Sequence, residues 1–201
     1  MMPRRLAWLP SLVVVLGTGV AAATLRLFAP VAPLPIYGVV PPFSLVDQRE
    51  RSFTQQELTG RVWIGDFIFT SCAGQCPLMS DQLRSVQRAL AGERELRFVS
   101  FSVDPQRDTP EVLAAYAQQY GADARWYLAT GSRAALTRLC KDGFHLAFDD
   151  DPHSPREPIL HSVRFVLVDR AGRIRGYYDA TDARKLAQLR EDIRRLLKER
   201  G

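Results

Sequence analysis

Apolar positions along this chain fall into three kinds of run. The first is long and unbroken: Leu6 to Leu25 carries no charge and lies between Arg4-Arg5 and Arg26. At about 20 residues it is long enough to cross a hydrocarbon core of about 30 Å as a helix. The second kind is short and nearly continuous. Val62 to Phe69, interrupted by Gly65 and Asp66, and Leu96 to Val103 have the pattern of strands buried on both faces. The third recurs at helical spacing: Leu78, Met79, Leu83, Val86 and Leu90 predict a helix from Pro77 to Leu90.

Turn chemistry supplies the remaining elements. Phe43-Ser44-Leu45-Val46 and Arg51-Ser52-Phe53 flank the polar Asp47-Gln48-Arg49-Glu50 as a small hairpin. Thr54 opens a helical turn through Leu58 that Gly60 ends. Asp108-Thr109-Pro110-Glu111 starts a helix to about Tyr120, with proline near its first position. Trp126 to Ala129 is a short strand, and Gly131-Ser132 caps a helix to Lys141. An acidic, proline-rich loop follows from Asp149 to Pro158. Val163 to Val168 and Ile174 to Tyr178 form a hairpin about Asp169-Arg170-Ala171-Gly172. Thr181-Asp182 caps a last helix to Gly201, and the chain has no internal repeats. Strand and helix alternate, then a hairpin and a helix close the order. Helix-length crossovers imply parallel strands and the hairpin an antiparallel one, so the expectation is an α/β domain with a central mixed sheet and flanking helices. This is the element order of a thioredoxin-like domain, which rests on the position of the thiols as well.

Three segments follow. Residues 1–29 are expected to be a membrane anchor, with a signal-anchor helix at about 6–25. A cleaved signal peptide, processed at Ala21-Ala22-Ala23, is the competing reading. Residues 30–42, with five prolines and one glycine, read as a stiff tether. Residues 43–201 are then the folded domain. Arginines ahead of the span keep the amino end in the cytoplasm and put the domain outside it, in a periplasmic setting at the inner membrane. Disulfides form there. The net charge of +5 comes almost wholly from arginine, since Lys141, Lys185 and Lys198 are the lysines. No basic cluster interleaves with aromatics, which argues against nucleic acid as a partner. From Arg184 to Arg200 the basic residues are mixed with Glu191, Asp192 and Glu199, as on a solvated helix face.

The candidate chemistry sits where the first buried strand ends, at Cys72 and Cys76. Four apart in the first turn of a helix, both sulfurs would lie on one face. Unpaired N–H groups and the macrodipole there favour thiolate. Soft sulfur at that spacing suits a thiophilic metal or a reversible disulfide. Three intervening residues fit a dithiol oxidoreductase less well than two, though a disulfide is still within reach. The bland alternative, two packing thiols, leaves the location unexplained. Open sheets place ligands at the carboxyl ends of their strands. A strand antiparallel to the thiol strand begins at that edge, so His161, just ahead of Val163, should arrive beside the sulfurs. Two thiolates and an imidazole make a three-coordinate soft site that suits cuprous copper; structural zinc wants a fourth ligand. His145 and His153 are alternatives, with His153 read as solvated loop beside Asp149-Asp150-Asp151. Cys140, in phase with Leu136 and Leu139, reads as a packing thiol, and the odd cysteine count of three leaves at least one unbridged. Asp104 also ends a parallel strand and either orients His161 or caps a turn.

With these residues in view, the chain resembles the Sco/SenC family of membrane-tethered, thioredoxin-like copper proteins, over about Phe43 to Leu197. Phe67-Ile68-Phe69-Thr70-Ser71-Cys72 through Cys76-Pro77 looks like that family's copper-binding segment. Ser100-Phe101-Ser102-Val103-Asp104-Pro105 with Arg107-Asp108-Thr109-Pro110 looks like its next signature, and His161-Ser162 like its distal-histidine motif. The resemblance implies a copper ion held by Cys72, Cys76 and His161. It also implies a role in assembling the dinuclear copper centre of cytochrome c oxidase, by metal delivery, by reduction of that site's cysteines, or both. The partner would be the copper-site subunit or another copper chaperone. Two positions depart from the family pattern: Ala73 stands where proline is usual after the first cysteine, and Leu160 where aspartate often precedes the histidine. The readings to separate are a copper chaperone, a membrane-anchored thiol-disulfide oxidoreductase using Cys72 and Cys76 without metal, and a peroxidase whose activating arginine is not identifiable.

Overall fold

The computed structural model describes residues 32–146, 148–149, 159–160 and 162–199. Residues 1–33 form one unit and 34–201 another. The span expected at 6–25 lies outside the described residues, among which no helix is long and apolar enough to cross a membrane.

The second unit is built on β4 (Val62–Ile68), every residue of which is buried. Parallel β5 (Leu96–Ser102) flanks it on one side, with Val62 opposite Leu96 and Ile68 opposite Ser102. Antiparallel β9 (Arg164–Val168) flanks it on the other, with Trp63 opposite Val168 and Gly65 opposite Val166. Covered on both edges and both faces, β4 needs the near-continuous apolar run that its sequence shows. Beyond β5 comes parallel β6 (Trp126–Thr130). The hairpin of β2 (Ser44–Asp47) and β3 (Ser52–Thr54) then adds to β6 through antiparallel β2. Beyond β9 lie β10 (Arg173–Asp179) and the edge strand β1 (Gly38–Val39), both antiparallel. The eight-stranded order is β1-β10-β9-β4-β5-β6-β2-β3. A separate two-stranded pair joins β7 (Phe148–Asp149) and β8 (Ile159–Leu160).

Among the described residues, four helices cross over or cover the sheet: α1 (Gln75–Ala89), α2 (Pro110–Gln119), α3 (Arg133–Arg138) and α4 (Ala183–Lys198). Their starts follow the expected capping chemistry. Thr109, Ser132 and Asp182 side chains each accept a backbone N–H, and Pro110 takes the first turn of α2. The short 3-10 turn Gln55–Leu58 is closed by a reciprocal capping box between Thr54 and Glu57. After α3 the chain runs into a π-turn at Leu139–Gly143, which delivers Phe144 to the core. The Phe144 ring packs against Trp63, Phe67 and Phe101. Gly65 permits this: a Cβ there would stand 3.0 Å from the Trp63 ring and 3.3 Å from Phe144.

The proline-rich stretch does not run free along its whole length. Residues 34–40 lie along β10, with Tyr37 N–H on the Ile174 carbonyl and Val40 N–H on that of Gly172. Arg175, 4% exposed, donates to the Leu34 carbonyl at 2.7 Å, to that of Pro35 at 3.1 Å and to Asp169 Oδ2 at 2.8 Å. Proline on an edge strand costs no ladder bond when its missing N–H would face away from the sheet. Carbonyls of the expected tether thus satisfy the Nε and Nη2 of a buried guanidinium whose Nη1 is held by Asp169. Replacing Arg175 with Met should destabilise the fold by about 2–3 kcal/mol in urea unfolding and expose 34–40 to proteolysis, since a buried charge-assisted network loses its centre.

A buried acid interrupts β4. Asp66 is fully buried; its Oδ1 accepts Ser100 Oγ–H at 2.6 Å, Ser100 Oγ accepts Trp126 Nε1–H at 3.0 Å, and Oδ2 has no protein partner. Burial pushes this carboxyl up to about 7, against the opposing pull of the Ser100 hydrogen bond. The folded state therefore keeps a proton that the unfolded chain releases. Stability from this group is fully present below about pH 4 and is lost as pH climbs to about 7. Asp66→Asn should lose less stability than the natural chain between pH 5 and 7.5, by about 2 kcal/mol in paired denaturant titrations.

Candidate metal and redox centre

At its carboxyl end β4 passes Phe69 and turns sharply: Cys72 N–H returns to the Phe69 carbonyl at 3.2 Å. Ser71, Ala73, Gly74 and Gln75 are exposed, Cys72 is half-buried and Cys76 is buried. The thiols are free, and the Cys72 side chain lies near enough to Cys76 to disfavour its ionisation. Their meeting differs from the helical picture that the spacing suggests. Gly74 is the N-cap of α1, so Cys72 precedes the helix and Cys76 is its second residue. A turn brings the sulfurs together, and Pro77 is tolerated at the third position because its missing N–H would have no helical acceptor.

The electrostatics differ as well. A helix start favours thiolate, yet burial pushes the Cys76 thiol well above its ordinary range, and the Cys72 sulfur adds to that rise. A hydrogen bond from the Phe69 backbone opposes it only in part. Burial wins because Cys76 lies inside the core cluster, where the charged form loses water that one backbone donor does not replace. The pair is therefore unequal: an accessible sulfur beside a protected, protonated one. Such a pair can accept a soft metal sequentially, or attack at one sulfur and resolve at the other.

His161 and His153 lie outside the described residues. What is described is their setting: β9 runs antiparallel to β4, starts at the edge where β4 ends, and is preceded by buried Ser162. His145 is elsewhere. A Cβ on Gly38 would be 3.5 Å from its Nε2, and Gly38 is level, through Ile174 and Val168, with Trp63 at the opposite end of β4. It is no partner for the thiols. Among the described residues no group of three potential ligands forms; Cys72 and Cys76 supply two. Cys140 is fully buried in the π-turn, and burial pushes its thiol up to about 12, as suits a packing thiol. The Asp104 carboxyl takes Arg107 at 2.9 Å, and its carbonyl accepts Arg107 and Asp108 N–H, a turn-forming role.

One residue at this edge goes unnoticed as a site residue from sequence. Asp108 is fully buried, and its carboxyl receives Thr70 N–H, the Thr70 hydroxyl and the Ser102 hydroxyl. The available signal is that Thr109 alone caps α2, which leaves the preceding acid without a local task.

The segment from 35 to 198 matches the family model described as SCO1/SenC. A putative copper-binding protein of Stutzerimonas stutzeri is 33% identical over 150 residues, covering 73% of this chain and 72% of that protein. A SCO1/SenC family lipoprotein from Bacillus anthracis superposes with a TM-score of 0.76 at 31% identity, over 83% of this chain and all of its own. BsSco, a Sco family cytochrome c oxidase assembly protein in which a disulfide switch was identified, gives 0.73 at 27% identity over 84% of this chain and 99% of its own. The mixed sheet with its thiol edge is the thioredoxin-like Sco fold. With all but its ends inside the family match and the thiol pair at the sheet edge, the chain belongs to the SCO1/SenC family.

Proposed function

We propose that this chain is a copper chaperone that holds one copper ion through Cys72, Cys76 and His161 and passes it toward the dinuclear copper site of cytochrome c oxidase. The observation that carries this reading is the pair of free, neighbouring thiols just past the carboxyl end of β4. Two sulfurs converge there, one of them reachable from solvent. Support for His161 as third ligand comes from strand direction, since β9 starts from the same edge. Cuprous copper accepts three soft donors and exchanges them one at a time. The half-buried Cys72 is the sulfur that an incoming ligand reaches, so transfer starts there and ends at Cys76. Residues 6–25 anchor the domain outside the cytoplasm, at the inner membrane.

A second reading is favoured by the same free thiols: reduction of a partner's disulfide. Cys72 and Cys76 would give up two electrons and two protons, form their own S–S bond and leave two thiols on the partner. The disulfide switch of BsSco is a precedent within the family.

The full chain should bind one copper ion, with His161→Ala weakening binding tenfold or more and the Cys72→Ser/Cys76→Ser double variant abolishing it, all measured by competition titration. Unchanged affinity in His161→Ala removes that residue from the site. Copper uptake absent from the natural chain, with disulfide reduction surviving loss of His161, selects the reductase reading. Alkaline carbonate extraction should leave the full chain in the membrane fraction and release a chain lacking residues 1–29; release of both overturns the anchor.

A further inference from the structure

Two loops leave the carboxyl ends of adjacent parallel strands at one level. Val103 N–H bonds to the Ile68 carbonyl at 2.9 Å, which pins the end of β5 to that of β4. Past this point the loops differ in how firmly they are held. The 102–109 loop is braced throughout. Asp104 N–H reaches Ser102 Oγ at 3.0 Å, Asp108 N–H reaches the Asp104 carbonyl at 2.9 Å, and Thr109 caps α2. The 70–74 loop that carries Cys72 is mostly exposed, and Gly74 gives α1 no side-chain cap. Between the two loops stands the carboxyl of Asp108. Thr70 N–H lies 3.2 Å from Oδ2 and 3.3 Å from Oδ1, Thr70 Oγ1 donates to Oδ1 at 2.5 Å, and Ser102 Oγ donates to Oδ2 at 2.5 Å.

We propose that Asp108 is a positioning residue for the thiol pair: its buried carboxyl, shared between Thr70 and Ser102, clamps the turn that sets Cys72 at its distance from Cys76. The proposal rests on the reading of that pair as the working centre. A buried carboxyl is costly unless its oxygens are satisfied. Here the satisfying donors come from the exposed loop on one side and the braced one on the other. The cost of burial is thereby turned into a restraint on Thr70, two residues from Cys72. A polar clamp suits this place because hydrogen bonds fix direction, whereas apolar packing of an exposed loop would fix little. Restrained thiols have a high effective concentration toward each other, which favours both their disulfide and two-sulfur chelation. Losing the restraint lowers both together.

The test compares the natural full chain with Thr70→Val, Thr70→Ser and Asp108→Asn by two readouts. The first is the metal-free thiol–disulfide equilibrium against glutathione, in which Cys72 and Cys76 lose two electrons and two protons as glutathione disulfide is cleaved to two glutathione thiols. The second is copper affinity with the sulfur-to-copper charge-transfer absorption. Thr70→Val, which keeps shape but loses the hydroxyl, should disfavour the disulfide about tenfold, raising its potential by about 30 mV. It should weaken copper about tenfold and shift the absorption. Thr70→Ser should remain within about twofold in both, and Asp108→Asn, which keeps one acceptor oxygen, should move both in the direction of Thr70→Val. Should Thr70→Val stay within twofold of the natural chain in both readouts, or Thr70→Ser move as far as Thr70→Val, the clamp is overturned. If the natural chain takes up no copper while Thr70→Val still shifts the disulfide equilibrium, the copper reading fails and the clamp stands.

Discussion

The centre depends on the parallel pairing of β4 with β5. Their register runs in step from Val62 opposite Leu96 to Ile68 opposite Ser102, so both strands end at one level of the sheet. Parallel strands connected by helices release their loops at the same edge. Here one loop brings sulfur and the other a buried carboxyl. Antiparallel β9, on the other side of β4, contributes its starting end to the same edge. Three distant stretches of the chain converge because strand direction leaves them no other place to go.

Within that frame the two thiols are made unequal by burial. Cys76 is 3% exposed and lies in the core cluster, while Cys72 stands in an exposed turn. Two electrostatic effects act on Cys76 in opposite directions. The helix start lowers the cost of a thiolate by at most about 2 kcal/mol, and desolvation raises it by more, so the thiol stays protonated. A soft metal held by Cys72 and Cys76 would supply the positive charge that buried Cys76 lacks from water. In either the chaperone or the reductase reading, the accessible sulfur and the protected one would have separate tasks.

The interior shows the same preference for buried polar groups that are satisfied within the chain. Asp108 and Arg175 each join segments far apart in sequence. Asp66 departs from it, with one oxygen unpartnered in the middle of β4. Its charge, when formed, also disfavours ionisation of Cys76 and Tyr116. The central strand therefore has a buried acid poised near neutrality.

Much of this was legible in the sequence. The buried strands, the helices capped by Thr109, Ser132 and Asp182, the hairpins and the position of Cys72 and Cys76 after a central strand all follow from local periodicity and turn chemistry, which act over a few residues and leave their mark there. What the sequence determined by itself was thus the order of elements and the edge at which the thiols emerge. Only the tertiary structure decided that Cys72 stands outside the helix, that burial keeps Cys76 protonated, that residues 34–40 edge the sheet through Arg175, and that Asp108 reaches Thr70. Cys72 leaves the helix through a local turn onto Phe69 that helical spacing does not reveal. For the other three the physical reason is the same: solvation and hydrogen-bond partners are set by residues tens of positions away, and no short window along the chain contains both members of such a pair.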